Sequence, residues 1–324
     1  MELSKFFGAV SSDWVRYSQY ELRKDENGIV YVTPAPEVTF KVYNPLDVSS
    51  KLVVDALGIG SLMVSSSPNH KKIERAVLRF AKNYGLLGFM PYLPFNRNYF
   101  QRENVYLPKT DITGCEQMKT TDYMDLFLPF KKEPVMLDSI LPLRPAELTG
   151  RPISYDVVFS NAYSERLDWL SSYFEAFFTH FAATFYHKKT SSDRFRGWFE
   201  DEIEHFGNDG LGYSIALRDG KPTLLWSFNS LKLAMETIYS FYITGESCPL
   251  RICRDCGKVF YAASARSEFC ETKCRNRHNV EQYRKRAKGQ PEGSNEQEMM
   301  EAIVREIRGQ YVLTRVEPRE TNVE

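Results

Sequence analysis

Apolar positions along this 324-residue chain follow two different periods, and the changes between them mark out its elements. The first forty-odd residues alternate as strands do. Tyr20-Glu21-Leu22 and Ile29-Val30-Tyr31-Val32 flank Asn27-Gly28, a pair that tolerates positive φ and closes a hairpin. Pro34, Pro36 and Pro45 end this run. A helical period follows. Asp47 is placed to cap a segment carrying Leu52, Val53, Ala56 and Leu57 that ends near Gly58. Ser65-Ser66-Ser67-Pro68 reads as a turn, and Ile73, Val77, Phe80 and Tyr84 then recur at helical spacing up to a Gly85 C-cap.

Between 90 and 160 the periodicity fades under closely spaced prolines, which exclude long helices but allow short strands such as Tyr155 to Phe159. Ser164 opens the clearest helix, with Leu167, Leu170, Phe174, Phe177, Phe181 and Phe185 on one stripe. Phenylalanines at that spacing are core residues before they are a ligand pocket. His180 and His187 on the same helix, and Asp201 with His205 on the next, have metal-compatible positions, but buried packing and a solvated acidic face explain them more simply. Tyr213 to Leu217 and Thr223 to Phe228 alternate about Asp219-Gly220 as a second hairpin. A helix capped near Ser230 carries Leu231, Met235, Ile238 and Tyr242 and stops at Gly245.

Beyond it the chain changes character. Cys253, Cys256, Cys270 and Cys274 are spaced C-x2-C-x13-C-x3-C. The first pair belongs to a knuckle that Gly257 can turn beneath a metal. The second pair, four residues apart, shares one face of a helix. Four thiolates close a tetrahedral site, and the ion that such ligands hold in a structural role is one Zn²⁺. His278 lies within reach of the same centre and reads as a supporting or phosphate-contacting group, since four cysteines already complete the shell. From Arg251 to Lys288 there are eleven Lys or Arg against four Asp or Glu, whereas the rest of the chain has 31 against 38. The balanced total of 42 and 42 therefore conceals a basic end at the cysteines. On a helical wheel Val280, Tyr283 and Ala287 form a narrow stripe, expected to pack on a hairpin through Val259-Phe260-Tyr261. Lys273, Arg277, Arg284 and Lys288 run beside it, and Arg275 and Arg286 occupy the far side. With Asn276, His278 and Lys285, these are the candidate nucleic-acid contacts. Arginine can read guanine bidentately, and asparagine can read adenine.

The stretch CRDCGKVFYAASARSEFCETKCRNRHNVEQYRKR resembles the CGNR-type zinc finger of bacterial proteins generally regarded as DNA-binding transcriptional regulators. The likeness rests on the four cysteines, Phe260 and the Cys274-Arg275-Asn276-Arg277 run, with Arg275 where the name-giving motif has glycine. Tyr43 to Leu46 (YNPL) and Ala81 to Gly88 (AKNYGLLG) also look like the N-terminal region of uncharacterised bacterial proteins that carry such a finger.

The expected fold is α+β. A mostly helical N-terminal domain with short antiparallel hairpins covers 1–245, and a treble-clef-like zinc module covers 246–288. A linker, a tail helix and a disordered end cover 289–324. In the tail, Ser294 with Gln297 makes a capping box ahead of Met299, Ile303 and Ile307. There is no run of eighteen apolar residues and no signal-peptide pattern. Cys115 and Cys248 propose no disulfide framework, so a cytoplasmic setting is expected. Catalytic signatures such as G-x-S-x-G and H-E-x-x-H are absent, so the chain reads as a non-enzyme. The expected function is a regulator that binds duplex DNA through the basic helix. Its N-terminal domain would serve as a sensor of an unknown small-molecule or protein signal, or as a homodimerisation unit. The alternative is a zinc-stabilised adaptor for RNA or protein.

Overall fold

The structure, a computed structural model, describes residues 13–65, 68–90, 104–106, 117–130, 160–204, 206, 212–218, 220–228, 230–245, 248–262, 264, 266–287 and 295–314. In chain order its elements are β1 (Trp14–Tyr17), β2 (Tyr20–Lys24), β3 (Val30–Pro34), β4 (Phe40–Tyr43), α1 (Ser49–Met63), α2 (His70–Tyr84), β5 (Asn104–Tyr106), β6 (Gln117–Lys119) and α3 (Thr120–Asp125). There follow β7 (Glu165–Arg166), α4 (Leu167–His187), α5 (Asp193–Glu204), β8 (Gly212–Arg218), β9 (Lys221–Ser227), α6 (Leu231–Thr244), β10 (Leu250–Ile252), β11 (Val259–Tyr261), α7 (Thr272–Ala287) and α8 (Asn295–Thr314). Helix and sheet are mixed, and every described strand pairing is antiparallel. The chain groups into two compact units, 1–55 with 70–173 and 208–245, and 56–69 with 174–207 and 246–324.

In the first unit the expected β2–β3 hairpin forms, with Gly28 at φ 80° and the Asp25 carboxylate accepting the amides of Asn27 and Ile29. β7 extends it on the β3 side, pairing Val32 with Glu165. β1 does not join this sheet but pairs with β4. The structural centre of the unit is the stretch after α2, which is buried from Gly85 to Met90 yet has no regular secondary structure. Buried backbone needs partners, and side chains and one backbone amide from distant parts of the sequence supply them. Glu165 accepts the amides of Leu87, Gly88 and Phe89 at 2.8, 2.6 and 3.0 Å and the Tyr163 hydroxyl at 2.7 Å. The Trp14 indole donates to Leu86 O at 3.0 Å, and Lys232 N donates to Leu87 O at 2.8 Å. Gly85 and Gly88 have φ of 90° and 78°. A Cβ on Gly85 would stand 2.1 Å from Val15 O, and one on Gly88 would stand 2.8 Å from the Trp14 ring.

Helix α2 ends as its pattern predicts, with Gly85 N donating back to Ala81 O. The next two expectations need correction. Asn44, not Asp47, caps the short 3-10 turn that precedes α1, accepting from Leu46 N. Helix α1 also continues past Gly58 to Met63. Gly58 stands in open space within the helix, and Gly60, two residues on, is a packing glycine with a Cβ position only 2.0 Å from Phe174 O. Ser164 does not begin α4. Its hydroxyl bonds to Thr33, Glu165 and Arg166 pair as β7, and the helix starts at Leu167. Ser230 caps α6 as expected, its Oγ accepting Leu233 N at 3.0 Å. The β8–β9 hairpin forms across Gly220 at φ 74°.

In the second unit Phe174, Phe177, Phe178 and Phe181 of α4 are buried with Phe199 of α5 and with Ile303, Val304 and Ile307 of α8. Leu170, Phe174, Phe177 and Phe181 of the aromatic stripe are thus core, as its spacing predicts, while Leu167 and Phe185 at its ends are partly exposed. His180 belongs to the same core, with Nε2 3.4 Å from Ile203 O and its ring 4.3 Å from that of Phe206. His187 pairs with Glu200 at 2.9 Å. The expectations for Ser66, Ser67, Cys115, Tyr155 to Phe159, His205, Asp219, Ser294 and the end from Glu317 lie outside the described residues. Among the described residues no helix is long and apolar enough to cross a membrane.

Candidate metal centre

Two short strands and one helix bring the four cysteines together. β10 and β11 pair antiparallel, Ile252 opposite Val259, so the six residues between them must reverse tightly. Gly257 makes the reversal at φ 68° and donates to Cys253 O, while Cys253 N donates to Lys258 O, each at 2.9 Å. This places Cys253 and Cys256 on one knuckle. Arg254 ties the knuckle to the segment that approaches α7: its amide donates to Glu268 O at 3.1 Å and its guanidinium pairs with the Glu268 carboxylate at 2.9 Å. Cys270 lies just ahead of α7 and Cys274 within its first turn. The helix begins at Thr272, two residues later than the spacing of the cysteines predicts.

All four sulfurs lie within 4.8 Å of one another, with Cys256–Cys270 and Cys270–Cys274 each at 3.6 Å. A tetrahedral ion with metal–sulfur bonds of about 2.3 Å requires sulfur separations of about 3.8 Å. The observed spacing fits that requirement and is far longer than a disulfide bond of about 2.05 Å. The four cysteines are therefore placed to hold a metal ion. Cys253 and Cys274 are buried, and Cys256 and Cys270 are partly exposed.

Electrostatics set Cys253 apart from Cys270 and Cys274. Burial pushes the Cys270 thiol up to about 12, with Cys274 opposing the rise and Cys256 and Cys253 adding to it. Cys274 is raised as well, by burial first and then by Cys270, Asp255 and Cys256. Cys253 departs from this pattern. Burial opposes its ionisation, but the amides of Cys256, Cys270 and Asp255 point at its sulfur and bring the thiol below its ordinary range. The Cys253 thiolate is thus favoured by the fold, while Cys270 and Cys274 would need the positive charge of an ion to ionise.

A bidentate ion pair joins knuckle to helix. Arg277 Nε donates to Asp255 Oδ1 at 2.9 Å, and Nη2 donates to Oδ2. The Asp255 side chain is 3% exposed and that of Arg277 57%. The guanidinium holds the Asp255 carboxyl below the usual carboxylate range.

The orientation of α7 overturns one expectation. Val280 and Tyr283 are 50% and 76% exposed and Ala287 is exposed too, so this stripe does not pack on the hairpin. The inward face is instead the row Cys274, His278 and Gln282, two of them polar, set by the cysteine that joins the sulfur cluster and not by hydrophobicity. Hydrophobic periodicity gives the wrong face where a cysteine gathered into a sulfur cluster fixes the rotation of a helix. His278 is not among the clustered ligands; its ring lies 5.2 Å from that of Phe269. Lys273, Asn276, Arg277, Val280, Glu281 and Arg284 line one open groove along the outward face. Arg275 and Arg286 are exposed elsewhere on the helix, and Lys288 lies outside the described residues. Sequence reasoning missed Asp255. Its one visible signal was a carboxylate set between two metal ligands in a strongly basic segment.

Over the knuckle stands α8. Met299 Cε lies 3.2 Å from where a Cβ on Gly257 would be, and a cavity of about 420 Å³ separates the knuckle from Glu301, Ala302 and Arg305. No family model, curated protein or solved structure matches the chain.

Proposed function

We propose that the four cysteines hold one structural Zn²⁺ and that the surrounding segment is a treble-clef-like finger of the CGNR type that binds duplex DNA. In this reading the remainder of the chain, over 1–245, serves a bacterial, cytoplasmic transcriptional regulator as its sensing or dimerising part. The observation that carries the reading is the groove on α7, where Lys273, Arg277 and Arg284 stand together with Asn276. A metal-pinned helix that presents several cations along one open face suits a polyanion, because each phosphate contact releases counterions. Zinc is favoured over other divalent ions by the all-thiolate set. Four thiolates fill the tetrahedral shell, so the ion has no open position for a substrate and acts by holding the knuckle and the helix together.

The test is a binding titration of the full-length protein against a duplex library at several salt concentrations. Log affinity should fall linearly with log salt, with a slope of about −0.9 for each phosphate neutralised. Lys273→Ala and Arg284→Ala should each reduce the slope by about one and weaken all sequences alike. Affinity that is absent, or indifferent to salt, overturns the reading.

Val280 and Tyr283 favour a second reading. An exposed tyrosine between cations also suits the stacking of unpaired bases, as in RNA or single strands. Competition between duplex DNA, single-stranded DNA and structured RNA separates the two.

A further inference from the structure

The geometry points to Arg277 as the guanine-reading residue of α7 and to Asp255 as the side chain that positions it. The inference rests on the nucleic-acid reading above and identifies which residue of that surface confers sequence preference.

A guanidinium has two edges that each offer a parallel pair of N–H donors, Nε with Nη2 and Nη1 with Nη2. Asp255 takes the first edge, Nε to Oδ1 at 2.9 Å and Nη2 to Oδ2. The carboxylate is almost wholly buried, whereas more than half of the arginine side chain is open, in the groove shared with Asn276 and Val280. The second edge has the donor spacing that matches guanine O6 and N7 in the major groove. An unrestrained arginine loses side-chain freedom on making such a contact. One already held in a bidentate pair has lost most of it beforehand, so more of the interaction appears as preference for the right base.

The other cations on this face are built differently. Lys273 and Arg284 stand four residues before and seven residues after Arg277, and lysine meets phosphate as a point charge. Asp255 lies between two metal ligands, so the centre that closes the knuckle also fixes the carboxylate, and through it the arginine. A brace that only held α7 to the knuckle would keep its effect on stability but would leave base preference unchanged.

The experiment uses the full-length, metal-loaded protein. Oligonucleotides are selected from a random duplex library, and affinities are then compared for the selected site and for sites in which each guanine is replaced by adenine. For the natural chain one guanine should matter by roughly 5- to 150-fold, the range of a good bidentate base contact. Arg277→Lys keeps the charge and loses the fork, and Asp255→Asn loses the buttress. Both should bring discrimination at that position close to one while other positions keep theirs. Lys273→Ala should scale all sites equally. Metal content accompanies each measurement, and if Asp255→Asn lowers it, Arg277→Lys, which alters neither the knuckle nor a ligand, decides the matter. Undiminished guanine preference in Arg277→Lys, or in metal-replete Asp255→Asn, overturns the inference while leaving the binding reading in place. Failure of the natural chain to bind any nucleic acid removes both.

Discussion

Glu165 binds Gly88 across 77 positions of chain, its carboxylate accepting the glycine amide at 2.6 Å inside a fully buried site. Leu87, Phe89 and Tyr163 complete a cradle of four donors around one side chain. Burial pushes the carboxyl up from its ordinary value, while the donors draw it back. Glu165→Gln replaces an acceptor oxygen with an NH₂ that faces amide donors, and leaves at least one buried N–H unsatisfied. Destabilisation of about 2–4 kcal/mol is expected in chemical denaturation, with the metal content unchanged. A loss below about 0.5 kcal/mol would mean that the cradle contributes little.

Gly85 is the second test of this irregular core. Its positive φ already disfavours a side chain, and a methyl group there would meet Val15 O at 2.1 Å. Gly85→Ala should cost about 2–4 kcal/mol, since left-handed strain adds to displacement of buried backbone. Gly28→Ala makes the natural control. It shares the positive φ and has nothing within 4 Å, so about 1 kcal/mol should suffice.

His180 predicts acid sensitivity. Burial lowers its pKa to about 4, opposed only weakly by the Ile203 carbonyl. Between pH 6.5 and 4 the unfolded chain binds a proton at this site that the folded chain does not, so stability falls as pH drops through that window. The term approaches about 3 kcal/mol below pH 4 and vanishes above pH 6.5. His180→Phe, set against Phe206, should flatten this part of the curve in pH-dependent denaturation.

Metal removal is the fourth. One ion per chain should be released by a thiol-specific mercurial or by chelation. Cys256→Ser or Cys270→Ser should lower the affinity for the ion sharply, because removing one ligand of four opens a tetrahedral shell. Hydrogen exchange should then rise along α7, whose inward face has Cys274 as its one fully buried residue, with little change in β2 and β3. Retention of the ion by either variant would show that the four sulfurs do not act as one site.

The local elements were legible because they follow from local chemistry. Asn27-Gly28 turns a hairpin, Ser230 caps α6, Gly85 ends α2, and phenylalanines at helical spacing form a core. The cysteine spacing gave the cluster for the same reason: two short-range pairs need only one long-range contact to become a site. The errors fall where a distant partner overrides a local preference. Helix α1 runs past Gly58, and the glycine that follows, Gly60, serves close packing against Phe174 O. Val280 and Tyr283 face outward because a thiol, not an apolar stripe, sets the rotation of α7.

By itself, then, the sequence determined the β2–β3 and β8–β9 hairpins, the ends of α2 and α6, and that four sulfurs near a basic helix share one place. Each of these depends on residues a few positions apart. Tertiary structure alone decided that Glu165 would satisfy the backbone at 87–89, and that Asp255 would hold Arg277 from across the knuckle. A buried charge takes whichever donors the fold brings to it, and no local pattern encodes which those are.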